Sequence, residues 1–162
     1  MTGERVFVGL GANLGDPQAT LKQALAALAA LPQTQRVAQS SLYRTAPVQA
    51  SGPHFINAVA ELRTALQPLA LMHALQAIEL AHGRERPYLN APRTLDLDLL
   101  LYGQRVVRVP GLELPHPRLH ERAFVLQPLL ELAPMLMHPR LGALRLLLAA
   151  TIDQAIERLP SS

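Results

Sequence analysis

The chain contains no cysteine and no tryptophan, and phenylalanine and tyrosine together supply only 4% of its 162 residues. The missing thiols rule out disulfides and Cys-ligated zinc or iron–sulfur centres, which fits a reducing cytoplasm. So few rings leave little for base stacking, which counts against single-stranded nucleic acid as a partner. Basic residues are almost all arginine, with Lys22 the sole lysine. Arginine suits planar, bidentate grips on phosphate, whereas duplex-sliding proteins usually recruit lysines as well. The sequence pI is about 9.9, yet the formal net charge is only +3. A small anionic substrate fits that balance better than a nucleic acid. Apolar runs are short, and the one over residues 24–31 stops at Pro32, below the roughly 18 residues of a membrane span. The opening residues MTGERVFVGL lack the order of a signal peptide. These features point to a soluble, cytoplasmic protein.

What is present reads as one globular domain over residues 1–162, with 49% hydrophobic and 17% charged residues. Residues 5–10 (RVFVGL) form a first strand. Pro17 opens a helix with Leu21, Ala24, Leu25, Leu28 and Leu31 at helical spacing. Residues 37–43 read as a second strand and 54–62 as a third, with a polar, proline-containing loop over 44–53 between them. Pro68 opens a second helix that buries Leu71, Met72, Leu75 and Ile78 and ends near Gly83. A charged, proline-broken loop over 82–92 leads to a strand over 95–102. Gly103 and Gln104 look like a tight turn into residues 105–109, which would close a hairpin. Residues 110–122 read as mostly loop, and helices are expected over 124–132 and 144–159. Long helices after strands one and three, between hairpin-like pairs, indicate an α+β fold. The expected form is a ferredoxin-like α/β sandwich with a mainly antiparallel sheet.

Two of the four aspartates, Asp96 and Asp98, sit two residues apart on the strand LDLDLLLY. That spacing sends both carboxylates to one face, about 7 Å apart along the backbone. At an effective dielectric near 20 their repulsion is about 3 kcal/mol, which a divalent cation would convert into binding. Magnesium suits such a pair, because it takes one or two carboxylates together with waters and substrate phosphates. The alternative is a solvated strand face. Arg84, Arg86 and Arg93 precede the pair and Arg118 and Arg122 follow it. They are either surface groups or guanidiniums that neutralise phosphate oxygens.

The glycine-rich run GLGANLGD over residues 9–16 matches no phosphate-binding signature. Its third glycine comes one position too late for a dinucleotide fingerprint, and it lacks the Gly-Lys-Ser/Thr of a Walker A loop. A turn capped by Asn13 or Asp16 is favoured over a loop beside a ligand. His116 and His120 have an i, i+4 spacing, but Pro115 and Pro117 oppose the helix a zinc pair would need. A phosphate contact from His116 is the better reading. Phe55, Asn57 and Phe124 either belong to the core or supply rings and an amide for a flat heterocycle.

Together these pieces resemble the 6-hydroxymethyl-7,8-dihydropterin pyrophosphokinase family of folate biosynthesis. The matching segments are GLGANLGD, SSLYRTAP, FINAV, IELAHGRER, APRTLDLDLLLYG and LPHPRLHERAFVLQPL, in the family's order across nearly the whole chain. The resemblance implies transfer of pyrophosphate from ATP to the pterin's hydroxymethyl oxygen with release of AMP. It also implies two magnesium ions and a usually monomeric enzyme with pterin and ATP as its partners. By resemblance, Asp96 and Asp98 bridge the metals, with Arg84 and Arg93 also catalytic. Thr45, Pro47 and Val48 lie in the pterin-binding loop, Phe55 and Phe124 sandwich the ring, and Asn57 reads its edge. Arg84, Arg86, Arg93, His116 and Arg122 match positions contacting ATP phosphates, with Gln76 and Glu79 on the nucleotide side. The chain departs from some members at Asn90-Ala91, where they have tryptophan before the Pro-Arg. It also departs at Phe55 and Pro117, where others have tyrosine. A nucleotidyltransferase, which would release pyrophosphate, and a ferredoxin-like RNA binder are the competing readings.

Overall fold

A computed structural model describes residues 3–46, 54–82 and 95–160. Strand β1 (Glu4–Ala12) is the organising element. Its even-numbered residues Val6, Val8, Leu10 and Ala12 are buried against one layer, and Phe7 is buried against the other. That is the period of two that a strand imposes on its side chains. Helix α1 (Pro17–Ala29) follows a turn at Gly15, whose φ is +63°. Asp16 is its cap: the carboxylate accepts from the backbone N–H of Ala19 at 3.1 Å, satisfying a donor the first turn leaves open. Leu21, Ala24, Leu25 and Leu28 form the buried stripe expected from their spacing.

The chain returns through β2 (Thr34–Gln39) and β3 (Tyr43–Thr45), then crosses to β4 (Phe55–Thr64). Here the single strand expected over 37–43 is two strands, both paired antiparallel with β4. A register shift between Arg36 and Ala38 ejects Val37 to solvent, and the chain leaves the ladder after Gln39. Ser40 then exchanges bonds with Val59: its amide donates to the Val59 carbonyl and its hydroxyl accepts from the Val59 N–H, both at 2.9 Å. Helix α2 (Pro68–Ala81) buries Leu71, Leu75 and Ile78, as its spacing predicts. Strand β5 (Asp96–Tyr102) then pairs antiparallel with β1.

The order of the main path is β10-β3-β4-β1-β5, with β2 also on β4 and every pair antiparallel. Treating β2 and β3 as one interrupted strand gives the βαββαβ ferredoxin-like arrangement the sequence implies. Helices α1 and α2 cover one face with an aliphatic core that includes Leu21, Leu28, Leu62 and Leu75. Each such fully buried side chain contributes about 1.5–3 kcal/mol relative to exposure. The other face carries Phe7, Val59, Leu100 and Leu101 packed on α3 (Ala123–Leu132).

Two expectations after β5 are corrected. Gly103, at φ +55°, does turn the chain, with Arg105 N–H donating to the Tyr102 carbonyl at 3.1 Å. The hairpin, however, lies further on, between β6 (Val107–Val109) and β7 (Leu112–Leu114), inside the stretch expected to be loop. Pro110 and Gly111 form its two-residue turn, with Gly111 at φ +84°. A proline followed by a glycine at positive φ is the stronger turn chemistry of the two. The second correction concerns residues 144–159. After the small hairpin of β8 (Met137–His138) and β9 (Gly142–Ala143), only Leu144–Thr151 is helical, and it is a 3₁₀ helix. Residues Ile156–Arg158 form β10, which pairs with β3. The free edge of β3 offers backbone partners that one more helical turn would have left unmade.

Glu131, near the end of α3, ties these parts together. Its carboxylate accepts from the Tyr43 hydroxyl at 2.6 Å, the Ser41 amide at 3.0 Å and the Ser41 hydroxyl at 3.0 Å. Arg158 of β10 adds an ion pair at 3.3 Å. Burial pushes this carboxyl up, but the bonds from Tyr43 and Ser41 and the charge of Arg158 outweigh it and hold the pKa below the usual value. Burial and the neighbouring Glu131 push the Tyr43 hydroxyl up, so it remains a donor. Replacing Glu131 by alanine is expected to cost about 2 kcal/mol at neutral pH, because several donors lose a charged acceptor. A depressed carboxylate stabilises the fold above its unfolded pKa, near 4.3, and that contribution disappears as pH falls through the lower folded value. Denaturant melts of wild type and Glu131→Ala should therefore converge in acid. A gap that persists in strong acid would refute this role.

Candidate active site

The sheet face opposite α1 and α2 opens beside the N-terminus of α3 into a cavity of about 690 Å³. Its floor follows from the alternation of β1. Where Phe7 fills the second core, Gly9 and Gly11 place no side chain at all. Gly11 pairs with Asn57 on one side and Asp96 on the other, and Gly9 pairs with Val59 and Asp98. A Cβ on Gly11 would lie 3.0 Å from Asn57 Oδ1, and one on Gly9 3.4 Å from the Leu100 side chain. The glycine-rich run is thus two structures. Gly15 and Asp16 make the expected turn and cap, while Gly9 and Gly11 belong to a strand and line the cavity. Ending the first strand at residue 10 and favouring a turn for the run missed the second role, although alternation with Val6, Val8 and Leu10 was the available signal.

Eight of the side chains singled out from sequence line this space together: Thr45, Phe55, Asn57, Asp96, Asp98, Arg118, Arg122 and Phe124. Asn57 is buried and donates from Nδ2 to Thr45 Oγ1 at 2.8 Å, which locks two adjacent strands and orients the amide. Phe55 and Phe124 are only half-buried, so neither is an ordinary core ring. Arg122 lies over Phe124, its guanidinium carbon 5.4 Å from the ring centroid, within cation–π range. Sequence reasoning missed Glu121, Asp153 and Gln154, which also contribute to the wall. Pro47, Val48, Arg84, Arg86 and Arg93 lie outside the described residues.

Asp96 and Asp98 project to the cavity side of β5, with the Leu97 side chain in the opposite core. The peptide between them is held from behind. Glu79 of α2 is buried, and its Oε2 accepts from the Leu97 N–H at 2.8 Å. That places Glu79 under the aspartate strand, where it fixes the backbone both aspartates depend on. Gln76 is on the exposed side of α2. His116 is anchored by its amide to the Leu100 carbonyl at 2.9 Å. Its Nδ1 accepts from the Arg118 N–H at 3.2 Å, which leaves Nε2 4.0 Å from Asp98 Oδ1. Burial, with Arg122 and Arg118 nearby, lowers the His116 pKa against the opposing pull of Asp98 and Glu113. His120 instead faces Glu121 at 3.9 Å, so the two histidines do not form a pair.

Two carboxylates on one face of a cavity offer hard oxygen donors, the type magnesium selects. Among the described residues, no cluster of three or more His, Asp or Glu side chains could hold a metal by itself. A cation there would need to share its coordination with water or with oxygens of a substrate. Opposite the aspartates, the half-buried rings and the fixed amide form the apolar walls and polar reading edge of a flat ligand's slot.

Comparison with known proteins agrees with this arrangement. The family model of 7,8-dihydro-6-hydroxymethylpterin-pyrophosphokinase (HPPK) matches residues 7–134. The 2-amino-4-hydroxy-6-hydroxymethyldihydropteridine pyrophosphokinase of Pseudomonas aeruginosa is 49% identical over 98% of this chain and 99% of its own length. Its namesake in Haemophilus influenzae is 42% identical over 82% of this chain and 84% of its own. Among solved structures, an HPPK-DHPS in complex with substrates superposes with a TM-score of 0.74 at 12% identity. Wild-type Plasmodium falciparum HPPK-DHPS with pteroate gives 0.72, also at 12% identity. Those two matches cover 94% and 91% of this chain but only 44% and 42% of theirs, and they speak to the fold alone. With its family match spanning most of the sequence and a relative at 49% identity over nearly its full length, the chain belongs to the HPPK family of pyrophosphokinases.

Proposed function

We propose that residues 1–162 act as one cytoplasmic, monomeric domain that moves a pyrophosphoryl group from ATP to the hydroxymethyl oxygen of 6-hydroxymethyl-7,8-dihydropterin. The observation that carries this reading is the single cavity with an acid pair on one side and two rings with a buried amide on the other. In this reading the pterin lies between Phe55 and Phe124, and Asn57, with Thr45 behind it, reads the ring edge. Pro47 and Val48 would complete that side. Asp96 and Asp98 would hold two magnesium ions, which when bound screen the triphosphate and polarise its phosphoryl oxygens. Arg122, with Arg84, Arg86 and Arg93, would neutralise charge on the phosphates, His116 would donate a hydrogen bond to them from Nε2, and Gln76 would serve the nucleotide end. Glu79 acts from below, through the Leu97 peptide.

The chemistry is an in-line displacement. The pterin oxygen forms a bond to the β-phosphorus as the bond from that phosphorus to the α,β-bridging oxygen breaks, and AMP leaves. The hydroxyl proton is lost toward the carboxylate and water side of the cavity. The protein's contribution is orientation of the two substrates and placement of charge. A pterin seated between the rings and over the glycine floor would displace water, the competing nucleophile, from the slot.

Incubation with ATP, magnesium and the hydroxymethyl dihydropterin should yield AMP and the pterin diphosphate in equal amounts. Release of pyrophosphate, or no turnover, would overturn the assignment in favour of a nucleotidyltransferase or a binding protein. Chelation by EDTA should abolish turnover, and added magnesium should restore it. Asp96→Ala and Asp98→Ala should each lower kcat by ~10³-fold while leaving the thermal unfolding transition in place. An active variant of either would contradict the metal role. Gly11→Ala should raise the pterin KM about fivefold, the effect of disturbing one hydrogen-bonding group, because its Cβ crowds Asn57. A normal pterin KM in that variant would remove Asn57 from ring recognition.

A further inference from the structure

The family match ends at residue 134, yet Asp153, Gln154 and Ala155 form part of the cavity wall. This segment joins the 3₁₀ helix Leu144–Thr151 to β10. Both of its ends are anchored. Thr151 is buried, its hydroxyl donating to the Leu148 carbonyl at 2.8 Å. Beyond it, β10 aligns Ile156 with Thr45, and the Leu159 N–H donates to the Leu42 carbonyl at 2.8 Å. The link between these anchors therefore presents its side chains from a fixed position.

Helix α3 begins without a cap of its own. Its N-cap residue is Arg122, which makes no capping bond from its side chain. Gln154 fills that need from 31 residues away, its Oε1 accepting from the Ala123 N–H at 2.8 Å. The same amide donates from Nε2 to the Glu121 carbonyl at 2.7 Å. The two bonds bracket Arg122, one on the residue before it and one on the residue after. They set the first turn of α3 and with it Phe124, one wall of the slot. A cap supplied by an ordinary helix-start residue would satisfy the N–H without reaching back to the Glu121 carbonyl.

We propose that Gln154 is a positioning residue for the pterin slot, holding Arg122 and Phe124 in place from a segment beyond the residues the family model matches. The claim rests on the slot assignment made above and extends it to a residue whose bonds run to the backbone on either side of Arg122. It predicts a loss in ligand binding separable from any loss in stability. Gln154 is exposed, so its replacement leaves no cavity in the core.

The test compares wild type with Gln154→Met and Gln154→Glu, using the fluorescence of hydroxymethyl pterin, which this tryptophan-free chain does not obscure. Methionine keeps the length and removes both bonds. Glutamate keeps the acceptor for the Ala123 N–H. Gln154→Met should weaken pterin binding about fivefold and raise the pterin KM in step, with kcat within about twofold of wild type, the scale of one lost helix cap. Gln154→Glu, which keeps the Ala123 bond and loses the donor to the Glu121 carbonyl, should retain part of the binding that Gln154→Met loses. Unchanged pterin affinity in Gln154→Met, with only a lower melting temperature, would overturn the positioning role and leave a purely structural cap. Failure of wild type itself to bind the pterin would instead overturn the slot assignment, and the positioning role with it.

Discussion

The constraint on which the rest depends is the two-residue alternation of β1. A central strand has two faces, and this one fills one face with Val6, Val8, Leu10 and Ala12. On the other it spends Phe7 on the second core and then leaves Gly9 and Gly11 bare. A one-residue slip of register would carry the aliphatic row into the cavity and the glycines into the core. Neighbouring strands inherit the same parity, which is why Asn57 and both aspartates arrive on the glycine side. The cavity is therefore a property of the sheet's register more than of any loop around it.

Support for the site comes largely from groups outside it. Glu79 grips the Leu97 peptide from the helical layer, and the Leu100 carbonyl holds His116 at the far end of the same strand. Glu131 draws β3, β10 and α3 to one carboxylate, which indirectly steadies Thr45 on β3. Gln154 acts on the opposite wall. Side chains carried on rigid strands, with their backbone fixed by buried or charged partners, hold a geometry that exposed loops alone would not.

Much of this was readable in the sequence, for identifiable reasons. Helices α1 and α2 carry a proline at their first positions and regular aliphatic spacing, so their extents were plain. The aspartates stood out because the chain has so few. By contrast, the break at Ser40 depends on its partner Val59, 19 residues away, which a local pattern does not contain. Residues 144–159 carry helical spacing, but the open edge of β3 claims the last of them for a strand. Gly9 and Gly11 were hidden by their resemblance to turn residues, and Gln154 by the sequence distance to the helix it caps. What escaped the sequence was long-range except at two places, the strand glycines and the Pro110-Gly111 turn, where the local signal was present but overruled.

Strand β5 closes the main sheet on one side, and among the described residues no further strand pairs with it. The run LDLDLLLY is the sort of apolar, β-prone edge that invites a strand from another molecule. Its entry half carries two carboxylates, Asp98 with 45% of its side chain exposed, and the Leu97 N–H between them is already taken by Glu79. An incoming strand would meet a ladder whose Leu97 donor is occupied. The strand that carries the acid pair therefore has one donor fewer to offer a pairing strand along its entry half.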